Sequence, residues 1–269
     1  MIDIHCHILP GLDDGAESLD VSIAMAEMAV ADGVTHMVCT PHITPGVYHN
    51  TAAGIAAQVA HLQGELDLRG IPLRLAVGAD IHISPTLLAD LDSGVAPTLA
   101  GSRAMLFEPP HHVLPPRMDQ AVARLIAAGY VPVITHPERL SWIEHRYDLV
   151  LALSDMGAPL QLTAGSITGA FGKRPQYWAE RMLDEGRADI IASDAHNTRA
   201  RSPRLSHARD LAAARLGEAE AENLVLWRPA ALLNGESLPD RVGIVAPQTP
   251  AKDAGVINSI KGWFNTFRG

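Results

Sequence analysis

Met1-Ile2-Asp3-Ile4-His5-Cys6-His7 is a short apolar run that closes on two histidines separated by one residue. Alternation along an extended strand sends His5 and His7 to one side and Cys6 to the other, so Cys6 reads as wall packing. A single His-x-His arises readily by chance; this one gains weight because similar endings recur. Apolar, β-rich runs near residues 34–40, 73–83, 104–108, 131–135, 159–163 and 188–193 follow it. They stop at Thr40-Pro41-His42, Asp80-Ile81-His82, Glu108-Pro109-Pro110, Thr135-His136-Pro137-Glu138-Arg139, Thr163-Ala164-Gly165-Ser166 and Ser193-Asp194-Ala195-His196. Only the run ending at Thr163 offers no imidazole or carboxylate at its end.

Helical spacing fills the intervals: Leu19, Ile23, Ala26 and Val30; Met118, Val122, Leu125 and Ile126; Leu205, Ala208, Ala212 and Leu216. The first two patterns stop at Gly33 and Gly129, as helices entering a strand often do. Strand starts about 27 to 39 residues apart fit β-α units with right-handed crossovers, hence parallel strands. The expectation is an α/β fold, a seven-stranded (β/α)7 TIM-like barrel over residues 1–235, with its chemistry at the C-terminal ends of the strands. Residues 236–253 carry Pro239, Pro247 and Pro250 and read as a linker. Val256, Ile257, Ile260, Trp263, Phe264 and Phe267 then make an apolar helical stripe that would pack on the barrel or on a neighbouring subunit.

The 269 residues carry a formal charge of −9, which argues against a phosphate-backbone-binding face and so against nucleic acid. No run approaches the roughly 18 apolar residues of a membrane span, and the first residues lack a signal peptide's layout, so a cytoplasmic location is expected. Two cysteines are too few for a disulfide framework or a thiolate zinc cluster, whereas 13 histidines are an excess of the commonest metal ligand.

Nine residues qualify as ligands: His5, His7, Asp14, His42, Asp80, Glu108, His136, Asp194 and His196. Imidazole with carboxylate suits manganese, zinc or iron, and nine ligands exceed one ion's needs. Two or three divalent ions are expected, with Glu108 bridging a pair. Asp14 sits in Leu12-Asp13-Asp14-Gly15, which ordinary turn chemistry also explains. His36, His49, His61, His111, His112, His145 and His207 fall outside the pattern and read as surface or loop residues; His82 has the right parity but no evident need. Arg139 and Arg201 lie close to ligands in sequence, and guanidinium pairs suit a phosphate ester. A thiol-based phosphatase is excluded, because its arginine would stand six residues after the nucleophile, where Leu12 and Pro45 follow Cys6 and Cys39.

These motifs, together with Leu9-Pro10-Gly11-Leu12-Asp13-Asp14-Gly15 and Ser193-Asp194-Ala195-His196-Asn197, resemble the polymerase-and-histidinol-phosphatase (PHP) superfamily. Within it they are most similar to the bacterial capsule and exopolysaccharide tyrosine-protein phosphatases. The resemblance runs from residue 1 to about 235 and implies a distorted seven-stranded (β/α)7 barrel and a three-metal centre, usually manganese. It places His5, His7, Glu108 and Asp194 on one ion, His42, Glu108 and His136 on a second, and Asp14, Asp80 and His196 on a third. Arg139, Arg201 and His42 become the expected catalytic residues. Asp80 departs from the family's usual Glu. The implied substrate is phosphotyrosine on a membrane tyrosine kinase's tail, with homo-oligomer formation left open. The alternatives are a small-molecule phosphomonoesterase resembling histidinol phosphatase, and an inactive metal-bound regulatory subunit.

Overall fold

A computed structural model describes residues 1–242; the apolar stripe expected over 256–267 and most of the linker lie outside the described residues. The strands are β1 (Ile2–Cys6), β2 (His36–Cys39), β3 (His42–Thr44), β4 (Tyr48–His49), β5 (Arg74–Val77), β6 (Asp80–His82), β7 (Ala104–Glu108), β8 (Val131–Thr135), β9 (Leu160–Thr163) and β10 (Ile190–Ala192). The chain returns between them through α1 (Leu19–Ala31), α2 (Ala52–Leu68), α3 (Leu87–Asp92), α4 (Met118–Ala127), α5 (Ile143–Asp155), α6 (Ala164–Ile167), α7 (Lys173–Asp184) and α8 (Ser206–Leu216). Two further helices, α9 (Glu218–Glu222) and α10 (Arg228–Asn234), follow the last strand. No described helix is long and apolar enough to cross a membrane.

The fold is α/β with mostly parallel strands, and no closed barrel is formed among the described residues. Among the described residues there are two sheets, a parallel one ordered β1-β2-β5 and a seven-stranded one ordered β10-β9-β8-β7-β6-β3-β4, parallel except for the β3–β4 hairpin. The third expected strand, 73–83, divides between the sheets as β5 and β6, while the second, 34–40, holds β2 alone and β3 follows it in the other sheet. Pro41, which has no N–H to donate, separates β2 from β3. Gly78 lies between β5 and β6, where a Cβ would come within 2.6 Å of Val38 and 2.9 Å of Leu99. At the other side the sheets meet through an isolated bridge between Cys6 and Ala195, with His7 N–H donating to the Ala195 carbonyl and Asp194 N–H to the His5 carbonyl, each at 2.8 Å.

Helix burial follows the expected spacing. In α4, Met118, Val122 and Leu125 are buried, each worth roughly 1.5–3 kcal/mol for a large apolar side chain. The chain then turns through Gly129 at φ 82°, a conformation that disfavours any side chain. In α1, Ser18 caps the first turn by accepting from the Val21 N–H, and Ile23, Met25 and Ala26 are buried. A large core lies between the strands and these helices. A smaller inner core draws Ile4, Val38, Leu106, Val133 and Ile190 from both sheets and is closed by Leu232 of α10.

Candidate metal centre

The inner core fixes which side chains reach the strands' C-terminal ends. Along β7, Ala104 and Leu106 belong to it, so alternation brings Glu108 to the same face. Along β10, Ile190 and Ala192 do the same for Asp194. β1 needs a correction to simple alternation, because Ile4 faces inward and would leave His5 outside. Ile2 and Asp3 pair with His36 and Met37, yet Cys6 pairs with Cys39, so β1 holds one extra residue. This bulge turns His5 inward beside Ile4, with His7 on the same side. Cys6 packs into the outer core, fully buried. His136 ends β8 in a left-handed conformation at φ 36°, and Asp194 adopts φ 50°. Such strain costs about 1–3 kcal/mol per residue and persists only where the surroundings impose it. Here His136 N–H donates to the Gln161 carbonyl at 2.9 Å and Asp194 N–H to the His5 carbonyl at 2.8 Å.

All nine expected ligands converge on this mouth. Their donor atoms fall into overlapping groups that could hold an ion: His7, Asp14, His42 and His196; His5, His7 and Asp80; His5, His136 and Asp194; His42, Asp80 and Glu108; and Glu108, His111 and His136. The grouping differs from the partition implied by family resemblance. Asp14 and His196 lie with His42 and His7, while Asp80 groups with His5 and His7 on one side and with His42 and Glu108 on the other. The Asp80 Oδ2 is 3.4 Å from His5 Nε2, 3.5 Å from His42 Nδ1 and 4.0 Å from His136 Nε2. Asp80 and Glu108 each belong to two groups, so both have the position of a bridge. Asp80 is also fully buried with neither oxygen hydrogen-bonded, as are the His136 Nδ1 and His196 Nε2 atoms. Leaving a buried carboxylate without partners is costly, and a divalent cation would remove that cost. The donor set therefore fits divalent metal.

Electrostatics agree. Burial works to lower the pKa of His5, but Asp194 and Asp80 outweigh it and raise it to about 9. Burial is likewise overcome at His42, whose pKa rises to about 10 beside Glu108 and Asp80. Without a cation the site thus gathers protons. His196 goes the other way, to about 4, through burial and the nearby His7. Burial would raise the Asp194 carboxyl, yet His5, His7, Arg201 and Arg139 hold it well below the usual range.

Asp194 divides its oxygens by task. Oδ1 faces His5 Nε2 at 3.3 Å and His7 Nε2 at 3.4 Å, while Oδ2 accepts from Arg139 and, at 2.7 Å, from Arg201. Both expected arginines therefore reach the mouth. The Arg139 guanidinium lies 4.9 Å over the Phe171 ring, and the buried Arg201 Nε has no partner, leaving a donor free for an incoming oxyanion.

Several supporting residues escape a reading of strand ends. Asp13 accepts from His7 Nδ1 at 2.6 Å and from the His42 N–H at 2.9 Å, fixing the first ring's orientation. It can do so because Gly15 lies against His7, where a Cβ would meet the His7 carbonyl at 2.2 Å. Gln161, on the strand that offers no ligand at its end, hydrogen-bonds His5 Nδ1 at 2.9 Å. Asp3 accepts from the Ser193 hydroxyl at 2.5 Å and ties β1 to the loop after β10. His111, expected as a surface or loop residue, has its ring 4.7 Å from that of His136. Asp13 adjoins Asp14 and His111 follows Glu108 by three residues, the only signals the sequence offers. His82 turns its Nδ1 to the Ile83 carbonyl and joins no group.

Residues 1–234 match a family model described as capsular polysaccharide synthesis, CpsB/CapC. Over 202 residues the chain is 38% identical to tyrosine-protein phosphatase YwqE of Bacillus subtilis (strain 168), covering 75% of this chain and 80% of the relative. Over 238 residues it is 29% identical to tyrosine-protein phosphatase CpsB of Streptococcus pneumoniae, covering 87% and 98%. A crystal structure from work on YwqE and CpsB, described as unique metal-dependent tyrosine phosphatases, matches with a TM-score of 0.86 at 33% identity, covering 94% of this chain and 100% of the other.

Proposed function

The chain belongs to the CpsB/CapC capsular polysaccharide synthesis family, and from that premise we propose that it hydrolyses protein phosphotyrosine with divalent cations held at this mouth. The observation that carries the reading is Asp80, buried with neither oxygen hydrogen-bonded among His5, His42 and His136, while two arginines are held on Asp194 across His5. Two or three ions are proposed, manganese foremost, then iron or zinc. Asp14, His42 and His196 would hold one, His5, His7, Asp80 and Asp194 another, and Asp80, Glu108 and His136 a third.

When bound, such cations lower the pKa of water toward about 7 and neutralise charge on phosphoryl oxygens. Arg139 and Arg201, held side by side on Asp194 Oδ2, would orient the phosphoryl group and offset its negative charge. His42, whose side chain is 15% exposed where those of His5 and His7 are fully buried, is the ring we assign to meeting the substrate. A phenolate leaving group, with a parent pKa near about 10, asks less of a general acid than an alkoxide does. A thiolate nucleophile is disfavoured, since Cys6 and Cys39 are fully buried and burial pushes both thiols up.

We read the two sheets as one interrupted seven-member barrel, residues 1–235 as the catalytic unit, the cytoplasm as its location, and a tyrosine kinase's tail as its substrate. The test is release of phosphate from phosphotyrosine peptides, lost on chelation and in His136→Ala. Preferential turnover of small phosphomonoesters would favour the metabolite reading, and metal uptake without turnover a regulatory subunit.

A further inference from the structure

We propose that His111 is an additional ligand at the third ion position, completing a site with Glu108 and His136. The inference rests on the metal-dependent reading above and adds to it a residue outside the nine converging ligands. His111 Nε2 lies 3.9 Å from Glu108 Oε1, and His136 Nε2 lies 4.0 Å from the same oxygen. All three donor atoms fall within 4.8 Å of one another. Ligands about 2.0–2.2 Å from one ion stand at most about 4.4 Å apart, so the two measured separations are already compatible with a shared cation.

The loop is built to hold this position. The Ser141 N–H donates to the His111 carbonyl at 2.8 Å, and Trp142 Nε1 donates to the Pro110 carbonyl at 3.0 Å. The loop after β7 is thereby pinned to the turn after β8, the turn that positions His136. His111 is 29% exposed at its side chain and makes no side-chain hydrogen bond among the described residues. Its ring is therefore placed by its backbone and remains available. Two imidazoles with one carboxylate favour transition-metal ions such as manganese, iron or zinc over magnesium, which is held by oxygen ligands.

The test uses the full chain, stripped with chelator and titrated with Mn2+ by calorimetry, with bound ions counted by elemental analysis. His111→Ala should lose one ion per chain, or bind its weakest ion at least about tenfold less tightly. The visible absorption of the Co2+-loaded protein should weaken in parallel, and His111→Asp, which restores a donor, should recover the ion count. His112→Ala, altering the exposed neighbour whose ring is 6.3 Å away, should match the wild type. Unchanged count, affinity and Co2+ spectrum in His111→Ala would overturn the proposal while leaving the phosphatase reading intact. A wild-type chain that takes up no ion would overturn both.

Discussion

Glu220 in α9 and Arg228 in α10 are as deeply buried as the residues of the mouth, yet they form a different kind of cluster. The Glu220 Oε2 accepts from Asn223, from Arg228 and from the Val242 N–H, while Arg228 also donates to the carbonyls of Pro239 and Asp240. One cation meets one anion, with Arg228 Nη2 2.8 Å from Glu220 Oε1, so the charges balance within the cluster even though Arg228 Nη1 makes no hydrogen bond. At the mouth, Asp80, Glu108 and Asp194 crowd together with the unpartnered Asp80 oxygens at their centre. A buried charged cluster that satisfies itself is a lock; one that does not is a receptor for charge brought from outside.

Substitution separates the two kinds most sharply. Asp80→Asn should abolish retention of the central ions and lower kcat/KM by about 10³-fold or more, several kcal/mol of transition-state stabilisation. Its metal-free form should melt close to the metal-free wild type. Glu220→Ala should instead cost about 3–5 kcal/mol of stability by stranding Arg228, with kcat/KM per folded molecule unchanged in denaturant and steady-state measurements. An exchange of these phenotypes would break the distinction.

Protons sharpen it. His5 and His42, with pKa values of about 9 and 10, are protonated at pH 7.5 in the metal-free chain, and ligation requires their neutral rings. Loading should therefore release about two protons in all, one at each of two ions, and the apparent affinity for each of those ions should fall by up to about tenfold per unit as pH drops below 9. Titration in buffers of different ionisation enthalpy reads the number directly; zero release would mean the rings do not ligate. A smaller effect is expected at Asp13→Asn, which loosens His7 and should weaken metal binding about 10- to 100-fold while the fold remains. Least of all, Cys6→Ala with Cys39→Ala should leave kcat/KM within about twofold, since neither thiol reaches the mouth and only core packing changes.

Strand ends are legible because ligand chemistry there is dense and each apolar run stops where a polar side chain must begin. His5, Glu108, Asp194 and the two arginines can be placed on that basis alone. Alternation cannot reveal the bulge that brings Ile4 and His5 to the same face, because it depends on pairing with β2. Nor does local sequence show that Gly78 divides a strand, since the reason lies in Val38 and Leu99 from distant segments. Asp13 and Asp14 are indistinguishable as neighbours in a turn, and only the fold gives His7 to one and His196 to the other. Gln161 is hidden for the same reason, as its use depends on a ring 156 residues away.

Anomalous scattering from crystals grown with Mn2+ tests the central claim most directly. Peaks should stand among His5, Asp80, Glu108, His136 and Asp194, with another beside Asp14, His42 and His196. Peaks at Glu220 or on the surface, with the space around Asp80 empty, would contradict it.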